Sequence, residues 1–315
     1  MAEVQSGLAI VTGGASGIGK ALAANLLGQG TAVAICDKDE HRLHQAIDGL
    51  KEKDPNANIT AHLCDVADRG SVERFAKEVQ EMHSADHITH LFNNAGIGGG
   101  YSFVDDSVED WERTFNTCWQ GTYNCTRVFF PSLMESKKGY LVNVSSVNGL
   151  WASGGPGNPR HAYSTAKYAI RGFTEALVED LRLSAPHIQV HLVIPGHIGT
   201  NIVRNTARSH GKNDPLEFNR EEVLQAKKKL LERGVEVADT SDDQIRQMVH
   251  QNMEDHREKA PVTAAEAAAV ILSALADNRW RVLIGQDAQA IDELVRDDPE
   301  SIYEADFIQR LIAKL

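Results

Sequence analysis

Short apolar runs alternate along this chain with longer stretches in which apolar residues recur every three or four positions. The runs are Leu8–Val11, Ala32–Cys36, Asn58–Leu63, His90–Phe92, Tyr140–Val144, Gln189–Ile194 and Arg281–Ile284. Their near-continuous hydrophobicity predicts strands buried on both faces, as in a parallel sheet. Helical spacing lies between them, over Lys20–Gly28, Arg42–Lys53, Ser71–His83, Val108–Met134 and Tyr163–Ser184. Strand and helix in alternation predict an α/β fold with a single doubly wound parallel seven-stranded sheet and right-handed crossovers. No linker interrupts the pattern, so residues 1–315 read as one domain. Ligands of such sheets bind outside the carboxyl ends of the strands.

Two stretches depart from the alternation. Residues 201–259 are dense in charge, with helical spacing and a sparse apolar face. They read as a lid, because irregular insertions beside a site usually gate it; Leu230, Leu231, Val235 and Met248 are its candidate lining residues. Residues 287–315 form an amphipathic C-terminal extension that packs either on a neighbouring subunit or on its own domain.

Candidate chemistry gathers at the strand ends. The first strand runs into Thr12-Gly13-Gly14-Ala15-Ser16-Gly17-Ile18-Gly19 and then a helix. Glycines there let the backbone approach a pyrophosphate, and the helix N-terminus offers free N–H groups to its charge. The second strand ends at Asp37, about 20 positions after the glycines, where a carboxylate accepts from an adenosine ribose and repels a 2′-phosphate. NAD is therefore the expected cofactor and NADP the less favoured one, with Lys38 keeping some tolerance open. Tyr163 and Lys167 stand four residues apart and share one helix face. A phenol ordinarily keeps its proton to about pH 10, and an ammonium one turn away favours the phenolate. Such a pair exchanges a proton with an alcohol.

Together these motifs resemble the short-chain dehydrogenase/reductase family, over about residues 7 to 200. Thr12 to Gly19, including Gly13, Ser16, Gly17, Ile18 and Gly19, resemble its cofactor turn. Asp65-Val66 resemble its adenine contact, and Asn93-Asn94-Ala95-Gly96 its N-N-A-G turn. Pro195-Gly196-His197-Ile198-Gly199-Thr200 resemble its segment around the nicotinamide. The resemblance implies a Rossmann fold and a catalytic set of Asn116, Ser146, Tyr163 and Lys167, with Tyr163 as acid–base. It also implies that Lys167 binds the nicotinamide ribose, and that Asn116 holds a water linking Lys167 to solvent. Ser146 precedes Tyr163 by 17 positions instead of the family's dozen or so, the excess lying in the Gly/Pro-rich SGGPGNPRH. That loop is expected to bulge toward the substrate mouth, and Ser145 remains a competing assignment. The implied activity is hydride transfer between nicotinamide and a secondary alcohol or ketone. An epimerase or dehydratase of the same fold, and a non-catalytic redox sensor, stand as alternatives. Tyr101, Trp151, His161 and His197 are candidate substrate contacts, for an apolar or aromatic alcohol of medium size. Arg160 and Arg204 keep a carboxylate substrate open. Family members are mostly dimers or tetramers, so a homodimer or homotetramer is expected.

The composition agrees. With 42% hydrophobic residues the chain can bury one large core, and a net charge of −12 disfavours nucleic-acid and anionic-membrane partners. Cys36, Cys64, Cys118 and Cys125 show no C-x-x-C spacing and read as reduced buried thiols, consistent with a cytoplasmic enzyme. Met1–Ser6 carries no basic stretch leading into an apolar one, and no run is long enough to span a membrane. His83, His87 and His90 straddle a predicted helix end and strand start, so no metal is expected.

Overall fold

The computed structural model describes residues 7–155, 158–232 and 234–315. Met1–Ser6, and Pro156 and Gly157 of the inserted loop, lie outside the described residues. The seven predicted strands all form, at β1 (Leu8–Thr12), β2 (Ala32–Asp37), β3 (Ile59–Leu63), β4 (His90–Asn93), β5 (Gly139–Val144), β6 (Ile188–Pro195) and, after a short lid ribbon, Arg281–Ile284. The ribbon pairs β7 (Ile198–Gly199) with β8 (Val262–Thr263), which makes Arg281–Ile284 β9. The main sheet runs β3-β2-β1-β4-β5-β6-β9, with every pairing parallel. Strand order reverses between β1 and β4, and that reversal opens a crevice at their carboxyl ends.

Helices cover both faces. On one side α1 (Gly17–Gly28) and α2 (Glu40–Lys51) pack Leu22, Leu26, Leu43 and Ala46 against Val11, Val33 and Ile35. The opposite side is covered by α3 (Arg69–His83), α4 (Val108–Phe115), α5 (Gly121–Met134) and α6 (His161–Ser184). There Phe75, Val79, Phe129 and Leu133 meet Leu8, Ile10 and Leu91. All five residues of β1 are buried, which is why its sequence reads as an unbroken apolar run. The continuous helix expected over Val108–Met134 is instead two helices joined by a single π turn, Asn116–Gln120.

The 201–259 segment, expected to form a lid, comprises α7 (Ile202–Ser209), α8 (Arg220–Glu232) and α9 (Asp242–Glu258), and the β7–β8 ribbon ties its two roots together. Val223, Leu230, Val237 and Ile245 form its own small core, with Val235 and Met248 packed on it. Leu231 is exposed. The four residues expected to line the pocket therefore do not: a sparse apolar face is buried most cheaply against the neighbouring helix. After α10 (Ala264–Ala276) and β9, the chain ends in α11 (Gln286–Asp297) and α12 (Phe307–Lys314).

This extension packs on its own domain. Phe307 lies against Trp151, ring centroids 4.7 Å apart, in a cluster with Leu150, Leu192, Ile194 and Leu311. Trp151 is thus a core residue beneath α12 and not a pocket wall. Asp292 of α11, 3% exposed, takes both Nη atoms of Arg281 at 2.5 and 2.9 Å and anchors the helix to β9. Among the described residues no helix is long and apolar enough to cross a membrane.

Candidate active site

The crevice at the strand ends is a cleft of about 580 Å³ running from Asp37 to Tyr163. Its floor is the glycine turn. Gly13 and Gly17 adopt φ of +64° and +52°, in the left-handed region that a side chain disfavours. A Cβ on Gly13 would stand 2.9 Å from the Ala95 backbone. Ser16 precedes α1 in extended conformation, and the first turn of α1 holds no acidic residue, so its N–H groups remain open to an anion. Thr12 pins the neighbouring turn: its Oγ1 accepts from Asn94 N and Ala95 N at 2.9 and 3.0 Å. Gly13, Ser16, Gly17, Ile18, Asp37, Asp65, Val66, Ala95, Gly96, Pro195 and Thr200 all border the cleft, as expected.

Four expected cofactor contacts stand elsewhere. Asn93 is buried and donates to Thr126 and Asn143 at 2.9 and 2.8 Å, while Asn94 faces the cleft in its place. Gly19 is a packing glycine, since its Cβ would meet Gly13 O at 2.4 Å. Gly196 makes room for Asp287, whose carboxylate would be 2.1 Å from a Cβ. Ile198 is buried and paired with Val262 across the ribbon. Alternation along β4 sends the Asn93 side chain inward.

Asp37 ends β2 beside the cleft, where burial raises its carboxyl above the usual range, against the backbone N–H groups of Asp39 and Lys38. Lys38 and Arg42 border the same end. At the other end α6 presents Tyr163, 9% exposed, and Lys167, 3% exposed. Lys167 Nζ donates to Val144 O at 2.9 Å and stands 5.4 Å from the Tyr163 ring centroid. Ser145 borders the cleft, but its hydroxyl donates to Lys167 O at 2.8 Å. The Ser146 Oγ accepts from Asn148 N at 3.2 Å. Ser146 therefore keeps its own proton for a further acceptor, whereas Ser145 has spent its proton on the helix.

Asn116 is exposed and does not border the cleft. From the same π turn Thr117 borders it, and Cys118 is buried, its Sγ donating to Ile97 O at 3.2 Å. A Cβ on Gly96 would be 3.5 Å from both Cys118 Sγ and Lys167 Nζ. Thr114, Thr117 and Cys118 are buried at helical spacing, which leaves Asn116 on the outward side.

The expected substrate contacts also lie off the cleft. Tyr101 stacks under the Arg160 guanidinium at 5.7 Å. His161 is exposed, accepts from Trp111 Nε1 at 2.9 Å, and borders a separate recess with Ser164 and Tyr168. His197 joins the loop after β6 to the lid: its Nε2 donates to His256 O at 2.7 Å and the two rings are 4.3 Å apart. Burial, then the His197 charge, pushes His256 down to about 4. The inserted loop closes on itself through a Ser153–Pro159 bridge, and Gly155 points toward Ile308 of α12. His83 bonds Thr60 and His90 stacks on Tyr140, so these histidines diverge. The four cysteines are free and buried.

Residues 7–211 match the family described as short chain dehydrogenase. The chain belongs to the short-chain dehydrogenase/reductase family. It is 30% identical over 296 residues to the Mycobacterium tuberculosis protein named as oxidoreductase SadH, covering 94% of this chain and 92% of that one. Its fold is similar to that of a short-chain dehydrogenase/reductase from Burkholderia phymatum in complex with NAD. The TM-score is 0.74 at 24% identity, covering 95% of this chain and 96% of that one. It is also similar to an NADPH-bound short-chain oxidoreductase from Pseudomonas aeruginosa described as having an atypical catalytic centre. There the TM-score is 0.63 at 22% identity, covering 88% and 95%. Among the cleft residues absent from the sequence reading, five come from the segment after Thr200: Asn201, Ile202, Asn205, Arg208 and Ser209. Their only signal was position, directly after Thr200.

Proposed function

We propose that this protein is an NAD(H)-dependent oxidoreductase that interconverts a secondary alcohol and a ketone, with Tyr163 as acid–base. The observation that carries the reading is the grouping of Tyr163 and Lys167 at one end of a cleft whose other end is a glycine turn and Asp37. The residues fit a dinucleotide: open N–H groups at α1 for the pyrophosphate, and a carboxylate at the end of β2 for the ribose hydroxyls. When bound, the nicotinamide supplies the hydride acceptor or donor.

The chain's own groups do the rest. Tyr163 Oη takes the alcohol proton in the oxidising direction and returns it in reduction. Ser146 donates its free proton to the substrate oxygen and holds that oxygen at the phenol. Lys167, buried and held by Val144 O, places a positive charge beside the ring and would bind the ribose of a bound nicotinamide. Asn116 has no part in this scheme, because its side chain faces solvent.

Incubation with NAD⁺ and a panel of secondary alcohols, followed by NADH absorbance, tests the proposal. Cofactor-dependent NADH formation supports it. Tight NADH binding with no turnover across aliphatic, aromatic and polycyclic alcohols would count for the non-catalytic sensor.

A further inference from the structure

A second recess, of about 400 Å³, lies between the inserted loop and a face of α6 that the cleft does not use. Ala152 and Pro159 line it from the loop, and Arg160, His161, Ser164 and Tyr168 from the start of the helix. None of these six residues borders the cofactor cleft. Helical phase is the reason: Ser164 follows Tyr163 by one position, which turns its side chain about 100° away. Ala152, Pro159 and the Tyr168 ring give the recess apolar walls, and the Tyr168 hydroxyl is spent on Leu150 O.

The remaining polar groups are donors without acceptors. Ser164 is 1% exposed, and among the described residues its hydroxyl has no hydrogen-bond partner. A hydroxyl buried in that state costs stability unless something supplies its partner. Arg160 Nε is likewise buried without a partner, and among the described residues the guanidinium makes no ion pair. His161 accepts from Trp111 Nε1 at its Nδ1, so its own proton sits on Nε2, where it meets no acceptor among the described residues. The first turn of α6 holds no acidic residue, which leaves the positive end of the helix dipole uncompensated. The N–H groups of His161 and Ala162 donate to Tyr101 O and Gly100 O at 3.2 and 2.8 Å, so binding here falls to side chains. A guanidinium, an imidazole N–H and a hydroxyl are the donor set that a carboxylate or phosphate accepts from. The apolar walls suit a hydrocarbon body attached to it.

We propose that this recess is a second ligand site, separate from the cofactor cleft, which binds a small organic carboxylate or phosphate through Arg160, His161 and Ser164. Such an anion ties the inserted loop to the helix that carries Tyr163 and Lys167. The loop already lies on Arg160, since a Cβ on Gly154 would stand 2.8 Å from its Nε, and the Ser153–Pro159 bridge closes it there. The proposal does not depend on what the cleft binds.

Thermal unfolding of the full chain with benzoate, phenyl phosphate or neutral benzamide, at constant ionic strength, tests this in the wild type, Arg160→Gln and Ser164→Ala. Benzoate or phenyl phosphate is expected to raise the wild-type unfolding temperature by about 2–4 °C at about tenfold excess over its Kd, and benzamide by less than about 1 °C. The larger of the two anion shifts tells a carboxylate site from a phosphate site. Arg160→Gln is expected to weaken the anion about tenfold or more, and Ser164→Ala about three- to tenfold. Without any anion, Ser164→Ala should be at least as stable as wild type, because it removes a stranded hydroxyl. A less stable Ser164→Ala would mean that the hydroxyl is already satisfied, and overturns the proposal. No shift with either anion does the same, as does an equal shift with benzamide. A shift that both variants leave intact would place the anion elsewhere, at the glycine turn. Loss in Arg160→Gln alone would reduce the recess to a single surface cation, and either result overturns the site.

Discussion

Replacing Tyr163 by Phe removes one oxygen and leaves the ring in place, so the structure sets separate expectations for stability and for rate. The ring packs with Cys118, Ala166 and Ile170 and is 9% exposed, and Phe fills that volume. Among the described residues no hydrogen bond ties Tyr163 Oη to the chain, so its loss strands no buried partner. Stability should therefore change by no more than about 1 kcal/mol. Acid–base catalysis is worth about 10² to 10⁴ in rate, or about 2.7 to 5.4 kcal/mol of barrier. Turnover of the best alcohol should fall by that factor while NADH affinity stays within about twofold of wild type. Tyr168→Phe is the matched control on the same helix. Tyr168 OH donates to Leu150 O away from the cleft, so its loss costs about 0.5–1.5 kcal/mol of stability and no turnover. Steady-state NADH formation, NADH fluorescence titration and thermal unfolding of all three proteins give the readouts. A Tyr163→Phe enzyme retaining more than about a tenth of the wild-type rate would refute the acid–base assignment. A parallel collapse of NADH affinity would refute it as well, by moving the defect to binding.

Other expectations concern the cofactor, the extension and acid. Asp37→Ala should weaken NADH and narrow or invert any preference over NADPH, as read by the same titrations, because the carboxylate that borders the ribose end is gone. Phe307→Ala should cost about 3–5 kcal/mol in urea unfolding, since the ring is 1% exposed and packed on Trp151; an exposed-residue cost near zero would mean that α12 is not docked. Burial opposes the charge on Asp292, yet the Arg281 hydrogen bonds and charge outweigh it and hold the carboxyl below its ordinary value. A depressed carboxyl stabilises the fold above the unfolded value of about pH 4 and loses that contribution as pH falls through the folded value. Asp292→Asn should therefore be less stable than wild type at neutral pH, and the gap should close in acid below about pH 4; a constant gap would contradict the linkage.

The alternation of strands and helices could be read along the chain because parallel strands are buried on both faces and so appear as unbroken apolar runs. The glycine turn, Asp37, Tyr163 and Lys167, which border one cleft, were equally legible, since each depends on residue type and local spacing, whereas Ser146 came from the family resemblance and does not border that cleft. Side-chain direction was less so. Asn93 and Asn94 are neighbours with the same chemistry, and only the pleat of β4 turns the first inward and the second to the cleft. Asn116 was named from the family resemblance alone, and the burial of Thr114, Thr117 and Cys118 leaves it on the outward side of the helix.

Contacts between distant segments belong to the tertiary structure alone. Trp151 stands close to Ser146 in sequence, which suggested a pocket wall; Phe307, far along the chain, arrives to bury it. Leu230, Val235 and Met248 packed into a small core of their own and Leu231 stayed exposed, while α7 borders the cleft. Local spacing determines which groups can react and which segments become strand or helix, because those depend on neighbours a few residues away. Which faces meet across the molecule, and so which residues of α7 border the same cleft as Asp37, follows from packing the whole chain at once.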